Sequence, residues 1–166
     1  MVETSLLYNC GGNQAELELY LEYKNRLREL INEGPLTIDK AKSWYDDIVN
    51  SDHFIIRLFD KSADNTQVGF VVIAVNDNCP EPFDYYIQDC YLAPGYRNQH
   101  IMWDAMSDFI GNHPGRYCLF LILNNLPAKS FWEKLFSSFY YQKWTGIKNS
   151  DILAMEDDET KFFGWM

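Results

Sequence analysis

The segment that most constrains the fold is residues 84–102, DYYIQDCYLAPGYRNQHIM, in which a strand runs directly into a helix. Its first half predicts a strand over Tyr85–Leu92, and the Ala-Pro-Gly-Tyr run after it is typical of a turn. The apolar residues beyond the turn recur at helical spacing and predict a helix over Arg97–Gly111. The first N–H groups of a helix lack intrahelical partners and carry partial positive charge, so this junction predicts an anion-binding site.

The length and composition of the chain fit one folded domain over residues 1–166. Of its 166 residues, 47% are hydrophobic and 16% are aromatic, which is enough for a sizeable core. No apolar run reaches the roughly 20 residues that a membrane span needs. The N-terminal residues, MVETSLLYNC, lack the basic segment and apolar core of a secretion signal. We therefore expect no membrane association and a cytoplasmic protein.

The charge balance argues against nucleic acid as a partner. The chain carries 14 Lys and Arg against 24 Asp and Glu, a net charge of −10. Such a surface repels nucleic acid and anionic membranes, and it attracts cationic substrates such as amines. Acidic residues also keep proteins soluble, so the charge alone does not identify a substrate.

The cysteines and histidines do not form a metal-binding pattern. The four cysteines, at positions 10, 79, 90 and 118, form no Cys-x-x-Cys pair, and the three histidines are well separated. We therefore expect no metal site, and thiols that stay reduced.

Hydrophobic periodicity predicts strands and helices that alternate along the chain. In order, we expect a strand at Ser5–Cys10, helices at Gln14–Asn32 and Ile38–Val49, strands at His53–Phe59, Gln67–Val75 and Tyr85–Leu92, a helix at Arg97–Gly111, a strand at Arg116–Leu123, a helix starting near Pro127, and strands at Phe139–Thr145 and Lys161–Met166, with an acidic loop at Gly146–Thr160. This order predicts an α/β (α+β) fold, with a mixed sheet and helices on both faces.

Two motifs stand within this order of elements. The first is Cys90–Pro94 followed by Tyr96–Met102, which aligns with hydrophobic-x-hydrophobic-x-Pro and then, except at its two glycine positions, with Tyr-Arg/Gln-x-x-Gly-x-Gly/Ala. The second is Asn125–Phe136, NLPAKSFWEKLF, which aligns with Asn-x-x-Ala-x-x-Phe-Tyr-x-x-x-Gly-Phe and matches it at Asn125, Ala128 and Phe131. Together they resemble the GNAT superfamily of acyl-CoA-dependent N-acyltransferases over nearly the whole chain. The resemblance implies a mixed, mostly antiparallel central sheet whose two central strands splay apart at the cofactor site.

The resemblance also implies acetyl-CoA as acyl donor and a small-molecule or peptide amine as acceptor. In the family, N–H groups at the loop and helix start hold the pyrophosphate, and the pantetheine arm lies between the splayed strands. The Leu92 amide would polarise the thioester carbonyl, and the amine would attack it directly. Relatives often form homodimers. The implied cofactor-binding residues are Tyr91, Leu92, Ala93, Arg97, Asn98, Gln99, His100, Ile101, Met102, Asn125 and Trp132.

Three departures from the family pattern leave a second hypothesis open. His100 and Met102 stand where the family has glycines that let the backbone approach phosphate without a Cβ. Trp132 replaces the tyrosine acid, and an indole N–H cannot usefully give up a proton. Phe136 replaces the glycine of the Gly-Phe turn. The alternative to an N-acetyltransferase is therefore a non-catalytic module of the same fold, with a degenerate CoA site.

The candidate catalytic residues each have two interpretations. Asp89 occupies the strand position where many relatives carry an acid, so it is either the general base or a solvated carboxylate on a polar face. Tyr140 and Tyr141 could replace the lost tyrosine acid or be core and edge aromatics. Arg97 either pairs with a cofactor phosphate or lies on the surface. Asn125 either binds the pantetheine arm or caps the next helix.

Overall fold

The computed structural model describes residues 1–140, 143–144 and 160–165. Within these residues, strands and helices alternate much as the sequence predicts. They are β1 (Val2–Tyr8), α1 (Gln14–Leu30), α2 (Ile38–Val49), β2 (His53–Asp60), β3 (Thr66–Ala74), β4 (Tyr85–Leu92), α3 (Ile101–Asn112), β5 (Tyr117–Ile122), α4 (Leu126–Ser137), β6 (Lys143–Trp144) and β7 (Thr160–Trp165).

All the described strands belong to one sheet, in the order β1-β2-β3-β4-β5-β7-β6. Each described neighbouring pair is antiparallel except β4 with β5, which run parallel. The predicted mixed, mostly antiparallel sheet is therefore confirmed. The continuous apolar run that predicted a central strand is β5, which lies between β4 and β7.

Helices cover both faces of this sheet, as predicted. The helices α1 and α2 share one apolar core with the sheet, made of Leu17, Tyr20, Ala41, Tyr45, Ile48, Ile55, Phe70, Val72 and Tyr91. The helices α3 and α4 cover the opposite face, and their core includes Met102, Met106, Phe109, Leu135 and Phe136 with Ile87 and Leu119 of the sheet.

Local capping explains where three of the helices begin. The side-chain oxygen of Asn13 accepts a hydrogen bond of 2.8 Å from the Glu16 N–H, and Thr37 caps α2 in the same way. Asn125 caps α4 by accepting from the Ala128 N–H at 3.4 Å. These bonds satisfy N–H groups that a helix start leaves free.

The structure corrects two predicted boundaries. The helix predicted from Arg97 begins only at Ile101, because Asn98 and His100 both have positive φ and a 3₁₀ turn covers Pro94–Tyr96. The strand predicted from Phe139 is also wrong at its start, since the Tyr140 N–H donates back to Phe136 O at 2.8 Å and continues the turn that ends α4. Most of the predicted acidic loop lies outside the described residues.

A buried carboxylate, Glu16, ties α1 to α2, β2 and β3. It is fully buried and accepts from Arg57 Nε at 2.7 Å, Arg57 Nη2 at 3.2 Å and Gln67 Nε2 at 2.8 Å. The Tyr45 hydroxyl also donates to it. A buried charge is tolerated only when it is paired and hydrogen-bonded in this way. The network therefore fixes the N-terminal half of α1 on the sheet.

Candidate functional site

The centre of the sheet opens between β4 and β5. The two strands pair only from Tyr85 opposite Tyr117 to Ile87 opposite Leu119. On its other side, β4 has one extra residue, Gln88, because Ile87 and Asp89 lie opposite consecutive residues of β3. An extra residue of this kind is a β-bulge, which bends its strand and increases the twist. The strands therefore diverge and leave an opening, the β4–β5 gap, between residues 88–92 and 120–122, which confirms the predicted splay.

The bulge also decides which face the last part of β4 presents. Residues two apart on a regular strand share a face, so Asp89 would lie with Ile87 in the core under α3. The extra residue instead turns Asp89 and Tyr91 towards α1, while Cys90 packs on the α3 side. The Asp89 carboxylate therefore lies under α1.

One amide at the end of β4 points into the gap. The Ala93 N–H donates to Val68 O at 2.9 Å, on the β3 side. Successive N–H groups of a strand point to opposite sides, so the Leu92 N–H points away from β3 and towards the gap. Such an amide is a suitable donor to an oxyanion.

The helix α1 crosses over this gap. On the β4 side, Lys24 Nζ lies 2.5 Å from Asp89 Oδ1. On the β5 side, Asn124 Nδ2 donates to Leu30 O at 3.4 Å. The C-terminal half of α1, from Lys24 to Leu30, therefore covers the gap on the face towards which Asp89 points.

Asp89 is a buried acid, so the interpretation as a solvated carboxylate is wrong. Its side chain is 2% exposed, and its Oδ2 has no hydrogen-bond partner among the described residues. Burial raises its pKa, although the Lys24 ammonium and the Tyr23 phenol act in the opposite direction. A raised carboxyl pKa moves an acid towards the range in which it exchanges protons near neutral pH.

Aromatic rings complete the surroundings of Lys24. Its Nζ lies 5.1 Å from the centroid of the Tyr20 ring and 5.0 Å from that of Tyr23. Burial raises the pKa of Tyr23 well above its usual value, and the neighbouring Asp89 adds to the effect. Burial also raises the pKa of Tyr20, so both phenols are neutral at pH 7 and present their rings to the ammonium.

The loop before α3 presents a row of free amides. The N–H groups of residues 98–103 make no hydrogen bond with the described part of the chain; the first helical bond is from Asp104 N–H to His100 O, at 2.8 Å. Residues 97–100 are exposed. Consecutive free N–H groups at a helix start are the donors that an anion-binding concavity needs, and the anion site at this junction stays a prediction.

Two contacts hold this loop in place. The Tyr96 hydroxyl donates to Asp60 Oδ2 at 2.9 Å. Hydrogen bonds from Ser62, and then that from Tyr96, lower the pKa of Asp60 to about 2, so this acceptor is ionised at neutral pH. Arg97 Nε donates to Leu92 O at 2.8 Å, and its guanidinium lies over the Tyr91 ring at 5.5 Å. Arg97 is thus fixed at the end of β4, beside the free amides.

The two glycine replacements have different structural roles. His100 adopts the left-handed conformation, with φ 61°, that glycine adopts without cost. Met102 is buried against the sheet, and its Sδ lies 3.6 Å from Cys90 Sγ. The loop therefore keeps a glycine-like backbone at position 100, while position 102 contributes to the core.

Replacing His100 by Gly should raise the thermal stability of the protein. A left-handed L-residue costs roughly 1–2 kcal/mol, partly offset by the extra freedom of Gly in the unfolded chain. We expect a melting temperature about 2 °C higher, measured by calorimetry. Gln99→Gly is the matched control, because Gln99 has no positive φ and gains nothing. An equal rise in both variants, or a fall in His100→Gly, would contradict this prediction.

The other predicted site residues lie in several places. Trp132 is 4% exposed and packs with Phe136 in the core, and Asn125 is a helix cap. The Tyr140 hydroxyl donates to Gly115 O at 2.7 Å, near the start of β5, so the structure does not bring it to Asp89. Tyr141 lies outside the described residues.

Three residues of α1 at this site were not predicted from the sequence. Tyr20, Tyr23 and Lys24 surround Asp89, although they precede it by more than sixty residues. A signal was present, because Lys24 lies at helical spacing within the apolar stripe that includes Leu17 and Tyr20. A charge on the buried face of a helix indicates a buried partner.

The described residues show neither a metal site nor a membrane-spanning helix. Among them, no three His, Cys, Asp or Glu side chains are grouped as ligands for a metal ion. None of the described helices has the length and hydrophobicity that crossing a bilayer requires.

Comparisons with known proteins agree with this geometry. The sequence profile of the acetyltransferase (GNAT) family matches residues 17–137. No curated protein sequence matches the chain.

Solved structures of this family share the fold. An acetyltransferase of the GNAT family from Staphylococcus aureus has a TM-score of 0.63 at 14% identity, covering 98% of each chain. An acetyltransferase from Thermus thermophilus has a TM-score of 0.65 at 12% identity, and the alignment covers 98% of this chain and 95% of the Thermus chain. Escherichia coli ElaA has a TM-score of 0.62 at 15% identity, covering 100% of both chains. At these identities the likeness shows the fold alone.

Proposed function

Because the chain belongs to the GNAT family of acetyltransferases, we propose that it transfers an acetyl group from acetyl-CoA to a primary amine. The observation that carries the proposal is the β4–β5 gap ending at the free amides of residues 98–103. The gap suits an extended pantetheine arm, and the amides suit the pyrophosphate at its end. The exposed face of Arg97 adds positive charge beside them.

The thioester carbonyl would lie at the Leu92 amide. The amine nitrogen attacks the carbonyl carbon, the oxyanion accepts from the Leu92 N–H, and the carbon–sulfur bond then breaks. Asp89 takes the proton that the amine loses, and the CoA thiolate leaves and is protonated. The products are an N-acetylated amine and CoA, with no covalent enzyme intermediate.

The CoA thiolate can receive its proton from a tyrosine or from solvent. Tyr141 remains a candidate in this proposal. Tyr140 is bonded to Gly115 O, so it would have to leave that bond before it could donate. Solvent can also protonate a thiolate, so the mechanism does not depend on a dedicated acid.

The proposal is tested first by calorimetric titration with acetyl-CoA, with CoA, and with acetyl-pantetheine as the matched ligand. All three ligands contain the pantetheine arm, but acetyl-pantetheine lacks the pyrophosphate. We expect micromolar binding of the first two and at least about tenfold weaker binding of acetyl-pantetheine, because charge-assisted bonds to the amides are lost. An absence of acetyl-CoA binding up to about millimolar concentration would contradict the proposal.

Removing the Arg97 side chain should weaken cofactor binding. We expect Arg97→Ala to raise the Kd of acetyl-CoA about five- to tenfold, since one exposed cation beside the pyrophosphate is lost. The effect should shrink as salt is added. Lys134→Ala, on the exposed surface of α4, is the matched control and should leave the Kd unchanged. Equal effects of the two substitutions would mean that only net charge matters.

A further inference from the structure

The contacts of Lys24 are those of a bound ammonium ion. Its Nζ lies 2.5 Å from the carboxylate of Asp89 and about equally far from two aromatic rings, at 5.1 Å and 5.0 Å. A carboxylate and facing aromatic rings are the groups that recognise alkylammonium ligands in proteins. From this geometry we infer that Lys24 occupies the acceptor's ammonium subsite, and that a primary alkylammonium substrate displaces it.

One carboxylate oxygen of Asp89 has no hydrogen-bond partner among the described residues, which favours displacement of Lys24 by another ammonium. Asp89 Oδ2 is buried and makes no hydrogen bond with the described residues. By contrast, both oxygens of the buried Glu16 have partners. Lys24 therefore satisfies only part of this carboxylate, and an ammonium that enters at another angle can use the remaining oxygen.

The two partners of the ion pair are not equally buried. The Lys24 side chain is 20% exposed, whereas that of Asp89 is 2% exposed. A lysine has a flexible stem and a strongly hydrated head, so it can turn outwards to water once another ammonium pairs with Asp89. Asp89 stays fixed on β4, and the net charge of −10 attracts a replacement cation.

The position of the subsite agrees with the reaction. Asp89 lies three residues before Leu92, and α1 holds Lys24 over the β4–β5 gap. An ammonium that replaces Lys24 would therefore lie beside the proposed base and close to the proposed position of the thioester. This inference rests on the proposed function for its role in catalysis, but the ammonium site itself is defined by Lys24, Asp89, Tyr20 and Tyr23.

The inference narrows the substrate class. A substrate that replaces Lys24 has a primary ammonium on an unbranched alkyl stem, because it must fit the space of a lysine side chain. A weakly basic aromatic amine lacks the charge that pairs with Asp89. While no substrate is present, Lys24 keeps the carboxylate neutralised and excludes water from it.

The test is binding of n-propylammonium, which has the atoms that Lys24→Ala removes. We expect Lys24→Ala to bind this probe at least about tenfold more tightly than the wild type, measured by chemical-shift titration. Lys42→Ala is the matched control, because Lys42 makes an ion pair of the same 2.5 Å length with Asp46 on the exposed surface of α2. That variant should bind no better than the wild type, and adding Asp89→Asn to Lys24→Ala should abolish the gain.

A neutral probe separates charge recognition from cavity filling. If 1-propanol binds Lys24→Ala as tightly as n-propylammonium does, or if Lys42→Ala gains equally, the inference is overturned. Should Lys24→Ala fail to fold, Lys24→Ser is the second variant. If neither folds even with saturating n-propylammonium, Lys24 is a structural cation and the inference is also overturned. Acetyl-CoA binding to the wild type is measured separately, so failure of the proposed function is recognised independently.

Discussion

Asp89→Asn should lower kcat/KM for acetyl transfer by about a hundredfold or more, with the Kd of acetyl-CoA unchanged. Asparagine has the shape of aspartate but cannot accept the proton that the amine loses. The proposed cofactor contacts lie in the gap and at the amides of residues 98–103, which this substitution does not touch. Steady-state kinetics and cofactor titration on the same preparation check both halves of the prediction.

The pH dependence of stability gives an independent readout for the same variant. Burial raises the pKa of Asp89 against the opposing effects of Lys24 and Tyr23. Between its unfolded and folded pKa values, the native state holds more protons at Asp89 than the unfolded state does. Asp89 therefore lowers the free energy of unfolding as pH rises through that range. Asp89→Asn should remove this pH-dependent loss of stability. Its melting temperature at pH 7 should not fall.

Asp46→Asn is the control for Asp89→Asn. Asp46 also pairs with a lysine, but on the exposed surface of α2, so its loss should change neither activity nor the pH dependence. If Asp89→Asn retains more than about a tenth of the activity, Asp89 is not the base and the proposed mechanism is wrong at that step.

Glu16→Ala should destabilise the fold by about 3–5 kcal/mol. Removing the carboxylate leaves the Arg57 cation, whose side chain is only 12% exposed, with the Gly11 carbonyl as its one remaining hydrogen-bond acceptor among the described residues. It also removes the acceptor of the Tyr45 hydroxyl and the nearer acceptor of Gln67 Nε2. For a chain of this size, that corresponds to a fall in melting temperature of roughly 10 °C. Denaturant unfolding and calorimetry would measure it.

Glu18→Ala is the matched control on the same helix. Glu18 is exposed and bonds only with Gln14 among the described residues, so its removal should cost less than about 0.5 kcal/mol. Similar losses in the two variants would show that helix propensity, and not the buried network, determines the effect. The prediction for Glu16 would then be wrong.

The element order could be predicted from the sequence because each element has a strong local pattern. The caps of α2 and α4, at Thr37 and Asn125, are residue types that favour helix starts. The start of α3 could not be placed in this way. Residues 97–100 are polar and are compatible with a helix or a loop, and the pointer to a positive φ at His100 is the glycine that the family has at this position.

The candidate site could be predicted only in part, because its chemistry depends on contacts between distant residues. The family resemblance makes Asp89 a candidate through its position in the strand. Its burial, its raised pKa and its pairing with Lys24 all depend on how α1 lies across the sheet. The bulge at Gln88 also leaves no local pattern, since it is defined by the pairing with β3.

The bulge makes the β4–β5 gap dependent on a single residue, Gln88. Deleting Gln88 would restore an unbroken ladder between β3 and β4, and it would leave Ile87 and Asp89 on the opposite faces that they now occupy. What the deletion removes is the bend that separates β4 from β5. The chain would keep its core, its caps and its proposed base, yet it would have a closed sheet with no room for a cofactor. Deletion of this one residue would therefore abolish the proposed activity without unfolding the protein and without changing any reactive side chain.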